Sequence, residues 1–265
     1  MTLVPLMLAM LIEVGLIAVL INLYLTSQHS LMLQFALRQI EENAQIAIRI
    51  IGNDVKSAGN IGCARLATDF VLPYGFYQLQ PNTRLRGDDQ SITLTFVSFP
   101  AATLLAPIYH DRLMATVLPL FKKEELAILS DCKHAEIVKV TSAQKKSSVQ
   151  FVTLSSLHYQ YDASAELGKL TIHRYFVAKT GRHDQQGLPV YALIREDNQH
   201  RKTEIIDGIR KLVLRYSVRI GGVLQELPAN AIRDWSSVEG VHLQLDMEIF
   251  PFKKTWFAYV AREVS

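Results

Sequence analysis

The residues able to do chemistry in this sequence are few and poorly spaced for catalysis. Eight histidines, among them His29, His110, His134, His158 and His173, fall at intervals that match no metal-ligand spacing. Asp88-Asp89 and Glu124-Glu125 are adjacent carboxylates, and sequence neighbours point apart in helix or strand, so neither pair is a natural acid/base couple. There is no Gly-rich phosphate loop, no Gly-x-Ser-x-Gly and no His-Glu-x-x-His. Cys63 and Cys132 are too far apart for a zinc ribbon or a redox Cys-x-x-Cys. In an oxidising compartment they could pair, closing a loop worth roughly 4 kcal/mol; in a reducing one they are two small buried residues. The reading is of a protein that is not an enzyme and needs no cofactor or metal. One ionisable group stands apart. Glu13 is the single full charge between Leu3 and Leu25, and an acid inside an apolar span is a functional residue by default. The plain alternative is a tolerated, snorkelling side chain.

The element that carries Glu13 organises the chain. The 23 residues from Leu3 to Leu25 make a helix of about 34 Å, enough to cross the ~30 Å hydrocarbon core of a bilayer. No Gly or Pro separates this run from the amphipathic stretch beyond it. Leu33, Leu37, Ile40, Ala44, Ala47, Ile51, Val55 and Ala58 recur at spacings of three and four, one face of a helix, with polar residues on the other sides. Gly59-Asn60 is the stop. The spacing predicts one helix of about 55 residues: a transmembrane half over 1–25 and an amphipathic half over 26–59. The alternative is a signal anchor followed by an unrelated helix. A cleaved signal peptide is not expected, because apolar character begins by the third residue without a basic n-region. Either the gene begins abruptly or a short leader has been removed.

A chain of 265 residues with a net charge of +3 and no block of like charges gives no reason to expect direct nucleic-acid binding. Residues 60–265 read as a β-rich globular domain. A loop-rich tract, 61–90, precedes a strand over 91–99, and 101–129 is ambiguous, with Pro107 and Pro119 against a long helix. Further strands are expected over 136–141, 149–154, 169–178 and 190–195, the first two joined by a hairpin loop over 142–148. A pair over 203–220 turns at Asp207-Gly208 and ends at Gly221-Gly222. Residues 228–238 read as short helix or loop, and strands over 241–250 and 256–260 close the chain after a turn over 251–254. The short connections suggest an antiparallel meander.

Several stretches resemble the PilW family of minor pilins, within the type IV pilin and pseudopilin superfamily. They are the apolar start Met1-Thr2-Leu3-Val4-Pro5-Leu6-Met7-Leu8-Ala9, the helix segment Glu41-Glu42-Asn43-Ala44, and Ser130-Asp131-Cys132 before a strand. Glu204-Ile205-Ile206-Asp207-Gly208-Ile209 is another, with Leu212 and Tyr216 after it and then Trp235 to Val241. Most specific is Asp54-Val55-Lys56-Ser57-Ala58-Gly59-Asn60-Ile61-Gly62-Cys63. It is close to that family's Asp-x-Arg-x-Ala-Gly-aromatic-x-Gly-Cys signature, so Asp54, Ala58, Gly59, Gly62 and Cys63 are its candidate family residues. Lys56 and Asn60 depart from the signature's Arg and aromatic residue.

The resemblance implies an α+β, pilin-like fold: a long N-terminal membrane-spanning helix packed on a C-terminal antiparallel β-sheet domain. It also implies an inner-membrane anchor, a periplasmic head domain, Met1 as the mature N-terminus or the start codon, and a Cys63–Cys132 disulfide. Implied partners are other minor pilins, a tip adhesin, the pilus assembly platform, membrane lipid, and the prepilin peptidase during maturation. Pilins carry a glutamate at the position of Pro5, thought to pair with a neighbour's amino terminus, which Pro5 cannot do. Glu13 lies about 12 Å further along the axis and ~80° around it, so it is either a packing contact or a substitute. The expected function is initiation and tip assembly of a type IV pilus, serving adhesion, twitching motility or DNA uptake. A type II secretion minor pseudopilin of the J kind is the same-class alternative, and a single-pass periplasmic binding or sensor protein the rival from another class.

Overall fold

In the computed structural model, residues 3–61, 71–131, 133–184 and 186–262 are described. Met1, Gly62, Cys63 and Cys132 lie outside them. One helix, α1, runs from Leu3 to Ser57 over 55 residues, about 82 Å. It ends at the expected stop: Gly59 takes a φ of +85°, the left-handed conformation that closes helices.

Two environments divide the helix. From Met10 to Phe35 no residue is buried by the rest of the chain, and the helix is long and apolar enough to cross a membrane once. From Ala36 onward one face docks, with Ala36, Ile40, Ala44, Ala47, Ile51, Val55 and Ala58 buried at spacings of three and four. Leu33 and Leu37, placed by the spacing on the same face, are half-buried and exposed. They lie on the N-terminal side of the level where Asn43 Nδ2 donates to Asp207 O at 3.3 Å.

Among the described residues, fourteen strands come after it. They are β1 (Val71–Leu72), β2 (Leu85–Gly87), β3 (Ser91–Thr103), β4 (Arg112–Thr116), β5 (Leu126–Ser130), β6 (Ala135–Lys146) and β7 (Val149–Leu154). Then come β8 (Glu166–His183), β9 (Pro189–Glu196), β10 (Lys202–Asp207), β11 (Ile209–Ile220), β12 (Val223–Leu227), β13 (Val238–Ile249) and β14 (Phe252–Ala261). The tract expected to be loop therefore contains two short strands, and the ambiguous 101–129 region holds β4 and β5.

Among the described residues the strands form two sheets rather than one meander. The smaller is ordered β12-β11-β13-β14, all antiparallel. The larger, of ten strands, runs β10-β9-β8-β5-β6-β7-β4, with β3 against β8, β2 against β3, and β1 parallel to β6. The chain passes between sheets at Gly208, whose φ is +80° and whose Cβ, if it had one, would sit 2.8 Å from Ile249 Cγ1. The turn expected at Asp207-Gly208 is thus a crossing from one sheet to the other.

The long strand β8 is the hinge of the larger sheet. Its first residues pair with β5 (Lys169 opposite Ala127) and its later ones with β9 (Arg174 opposite Glu196), while β3 pairs along its other edge between Glu166 and Phe176. Among the described residues, 170–173 therefore have a strand neighbour on the β3 side alone, a gap of about 13 Å along the edge.

The main core forms where α1 meets both sheets. Ile40, Ala44, Ala47, Ile51 and Val55 pack with Ile92, Leu94, Tyr175 and Leu193 of the larger sheet and Leu212, Leu214, Tyr216, Leu243 and Leu245 of the smaller. Gly52 lets the helix approach β14, since a Cβ there would lie 3.3 Å from Val260 Cγ2. A second core, around Leu113, Val138, Val152 and Leu167, fills the far part of the larger sheet.

Candidate functional site

The described signature residues converge on one place, the junction between the end of α1 and the head. Asp54 faces β8 on the last turns of the helix. Its Oδ2 accepts the Tyr175 hydroxyl at 2.6 Å and lies 2.6 Å from His173 Nδ1. His173 and Asp54 are mostly shielded, and Tyr175 is 0% exposed. Burial, then the Asp54 charge and hydrogen bond, pushes the Tyr175 phenol well above its ordinary value, while Arg195, opposite it on β9, pulls the other way. Tyr175 is therefore a locked donor and Asp54 its fixed acceptor.

Four residues on, Ala58 is buried, and Gly59 turns the chain onto β3. The Gly59 N–H donates to Thr95 O at 2.9 Å and the Val97 N–H to Asn60 O at 2.8 Å, so the helix end is stitched into the sheet edge beside β2. A Cβ on Gly59 would stand 2.8 Å from Arg84 Cδ. The Arg84 guanidinium, pushed below its ordinary value by burial against the upward pull of Asp234, donates to Ser236 O at 2.6 Å. Helix, larger sheet and the loop before β13 are thereby tied at one corner.

Ile61, the last described residue before Gly62 and Cys63, is buried, and its carbonyl accepts the Ser130 hydroxyl at 2.9 Å. The segments leading to the two cysteines thus meet. The sulfurs themselves fall outside the described residues, as does Gly62.

The other expected site residues lie elsewhere. Pro5 and Glu13 sit on the N-terminal half of the helix, far from this junction, and Glu13 is exposed. The adjacent carboxylates do part company. Asp88 accepts the backbone N–H groups of Gln90 and Ser91 at 2.7 and 2.6 Å, while Asp89 Oδ1 accepts the Ala229 N–H at 2.9 Å. Glu124 pairs with Lys139 and Glu125 with Lys169. Sequence reasoning missed Tyr175 and the role of His173, because they stand 121 and 119 residues from Asp54 and only the pairing of β8 brings them there.

One row of side chains looks like machinery for acyl transfer. Ser217 Oγ lies 2.8 Å from His242 Nε2, and His242 Nδ1 lies 3.7 Å from Glu226 Oε2. Serine, histidine and carboxylate in line are the parts of an activated nucleophile. Here Ser217 is 2% exposed, and its strand is laddered on both edges, by β12 and β13, so its backbone donors are committed. With no approach for a carbonyl and no free donor pair for an oxyanion, the row is a cross-strand clamp. Among the described residues no group of three or more His, Cys, Asp or Glu is placed to hold a metal ion.

The chain matches no protein-family model, no curated protein and no solved structure.

Proposed function

We propose that this chain is a non-catalytic, membrane-anchored assembly subunit: a minor pilin of the PilW kind that helps initiate a type IV pilus and sits in its tip complex. The observation that carries this reading is the apolar stalk between membrane and head. If residues 3–25 fill the hydrocarbon core, Phe35 stands about 15 Å beyond Leu25, past a headgroup zone of roughly 5–8 Å. Head packing starts only at Ala36, yet Leu31, Met32 and Phe35 are 45%, 68% and 68% exposed. Apolar side chains left bare by both lipid and head mark a surface meant for other helices. Gly15 fits the same use, since a Cβ there would meet nothing within 4 Å inside this chain, and small residues let membrane helices approach closely. The head then lies in the periplasm, where it meets neighbouring minor pilins, and Glu13 faces a partner helix.

Intact mass and amino-terminal sequencing of the protein from native membranes test the reading. A chain starting at Met1 with an N-methyl group is the expected result. A formyl-Met1 start or an unprocessed upstream start would sink it and leave an ordinary anchored domain.

A further inference from the structure

The gap beside β8 opens into a cleft of about 490 Å³, within the roughly 300–1,000 Å³ of small-molecule sites. Leu170 and Thr171 line it at the level of the missing strand, and Asn198 Nδ2 closes part of the gap by donating to Leu170 O at 3.2 Å. Glu124, Glu125 and Lys139 line the β5–β6 side, Asp197 and Arg201 the β9–β10 turn, and Tyr74 and Tyr77 contribute aromatic side chains to the lining.

Two properties limit what can bind there. Each carboxylate already holds a cation: Glu125 has Lys169 at 3.0 Å, Asp197 has Arg201 at 2.7 Å, and Glu124 has Lys139 in contact. Arg195 and His173, which also line the cleft, are engaged with Tyr175 and Asp54. The field is close to balanced, so neither an anion nor a cation gains a large Coulomb term. What the cleft offers instead is a dense alternation of donors and acceptors, pre-set by its own ion pairs. Asp197, for example, is fixed by the N–H groups of Gln199 and Arg201 at 2.8 and 3.0 Å.

The second property is an aromatic wall on a stiff support. Tyr74 and Tyr77 exchange backbone hydrogen bonds of 3.0 and 3.1 Å around Gly75-Phe76, with Gly75 at a φ of +58°. Rings presented this way cover an apolar face without losing much conformational entropy on binding. A ligand that carries hydroxyls around its rim, an apolar C–H face and no net charge matches both properties. We infer that this cleft binds a neutral carbohydrate, with Tyr77 as its stacking platform and Asn198, Asp197 and Glu125 reading hydroxyls. The inference goes beyond the assembly reading and stands whether or not the chain enters a fibre.

The full chain, purified in lauryl dimethylamine oxide so that no sugar headgroup competes, would be titrated with lactose, cellobiose and N,N′-diacetylchitobiose. A chondroitin disaccharide serves as the anionic control, with saturation-transfer NMR and calorimetry as readouts. At least one neutral disaccharide is expected to bind with a Kd on the order of 1 mM or tighter, unaffected by about 0.5 M salt. Tyr77→Ala weakens that binding at least tenfold while Tyr77→Trp keeps it, and the melting temperature of both variants stays at the parent value. No saturable binding of any neutral probe would overturn the inference. So would binding indifferent to Tyr77→Ala, or preference for the anionic disaccharide that salt abolishes.

Discussion

Asp54 and Tyr175 join the end of the long helix to the middle of the longest strand through a 2.6 Å hydrogen bond from a fully buried phenol to a carboxylate. The donor has no water to fall back on, so the bond is worth more than its length suggests. Asp54→Ala orphans the Tyr175 hydroxyl and is expected to cost about 2–3 kcal/mol. Asp54→Asn keeps an acceptor and costs less. Adding Tyr175→Phe to Asp54→Ala should return part of the loss, and chemical denaturation of the parent, Asp54→Ala, Tyr175→Phe and the double variant reads the coupling. Strictly additive effects would mean that the bond does not hold the corner.

Three tyrosines set the alkaline limit. Burial pushes Tyr161, Tyr175 and Tyr216 above the ordinary phenol value of 10.0. The folded state then keeps protons that the unfolded chain gives up, so stability is full below pH 10 and falls as pH rises above it. The slope is about 1.4 kcal/mol per pH unit for each tyrosine. Denaturation midpoints between pH 9 and pH 11.5 should show the decline, made shallower by Tyr216→Phe; a flat profile would contradict the burial of these groups.

Two glycines on one helix should behave oppositely. Gly59→Ala forces a side chain into positive φ and against Arg84, and is expected to lower stability by about 1–3 kcal/mol. Gly15→Ala meets nothing in the chain and should leave the melting temperature unchanged. If the helix packs on partners through its small residues, Gly15→Leu impairs assembly without unfolding the head, as co-purification of partner subunits would report.

Phe35→Lys tests the stalk in the same manner. The side chain is exposed, so head stability is expected to stay within ~0.5 kcal/mol of the parent. On the proposed assembly reading, pilus formation fails with this variant, and a photo-crosslinker at position 35 captures another helical subunit rather than lipid. Normal piliation with Phe35→Lys would remove the main support for the assembly reading.

Ile61 and Ser130, described residues two positions before Cys63 and Cys132, touch through the Ser130 hydroxyl and the Ile61 carbonyl. A disulfide there is expected to make the non-reduced protein two hydrogens lighter, and reduction to cost roughly 4 kcal/mol. Free thiols in protein taken from an oxidising compartment would exclude it.

Where a single local period governs, the sequence was sufficient. Apolar character without a break, then a three-four spacing, then Gly59 define α1 from Leu3 to Ser57. Elements whose side chains face water on both sides were harder. Residues 142–148 read as a hairpin loop, but β6 and β7 continue as a ribbon to Lys146 and Val149, leaving a two-residue turn with Ser147 at positive φ. Strand β12 was missed for the same reason: it is exposed over most of its length and hangs on β11 through the Gly221-Gly222 turn. Residues 252–254, expected in a turn, pair with Ile249, Glu248 and Met247 inside β14. The division into two sheets and the shared edge of β8 rest on pairings such as Ile128 with Gly168, which no local pattern encodes. Asp54 could be picked out by resemblance, but its partners could not.

Because α1 overlaps the head along its own axis, from Ala36 to Ala58 over about 33 Å, tension applied between the apolar N-terminal half of the helix and the head loads that whole seam in shear. Its contacts must give way together instead of peeling one by one. The far end is pinned as well, since the Gly59–Thr95 and Asn60–Val97 hydrogen bonds pass any remaining pull into β3. Rupture under load is governed by the rate of unfolding rather than by equilibrium stability. A chain built this way is a tensile fitting, with the helix as the pin and the two sheets as the socket.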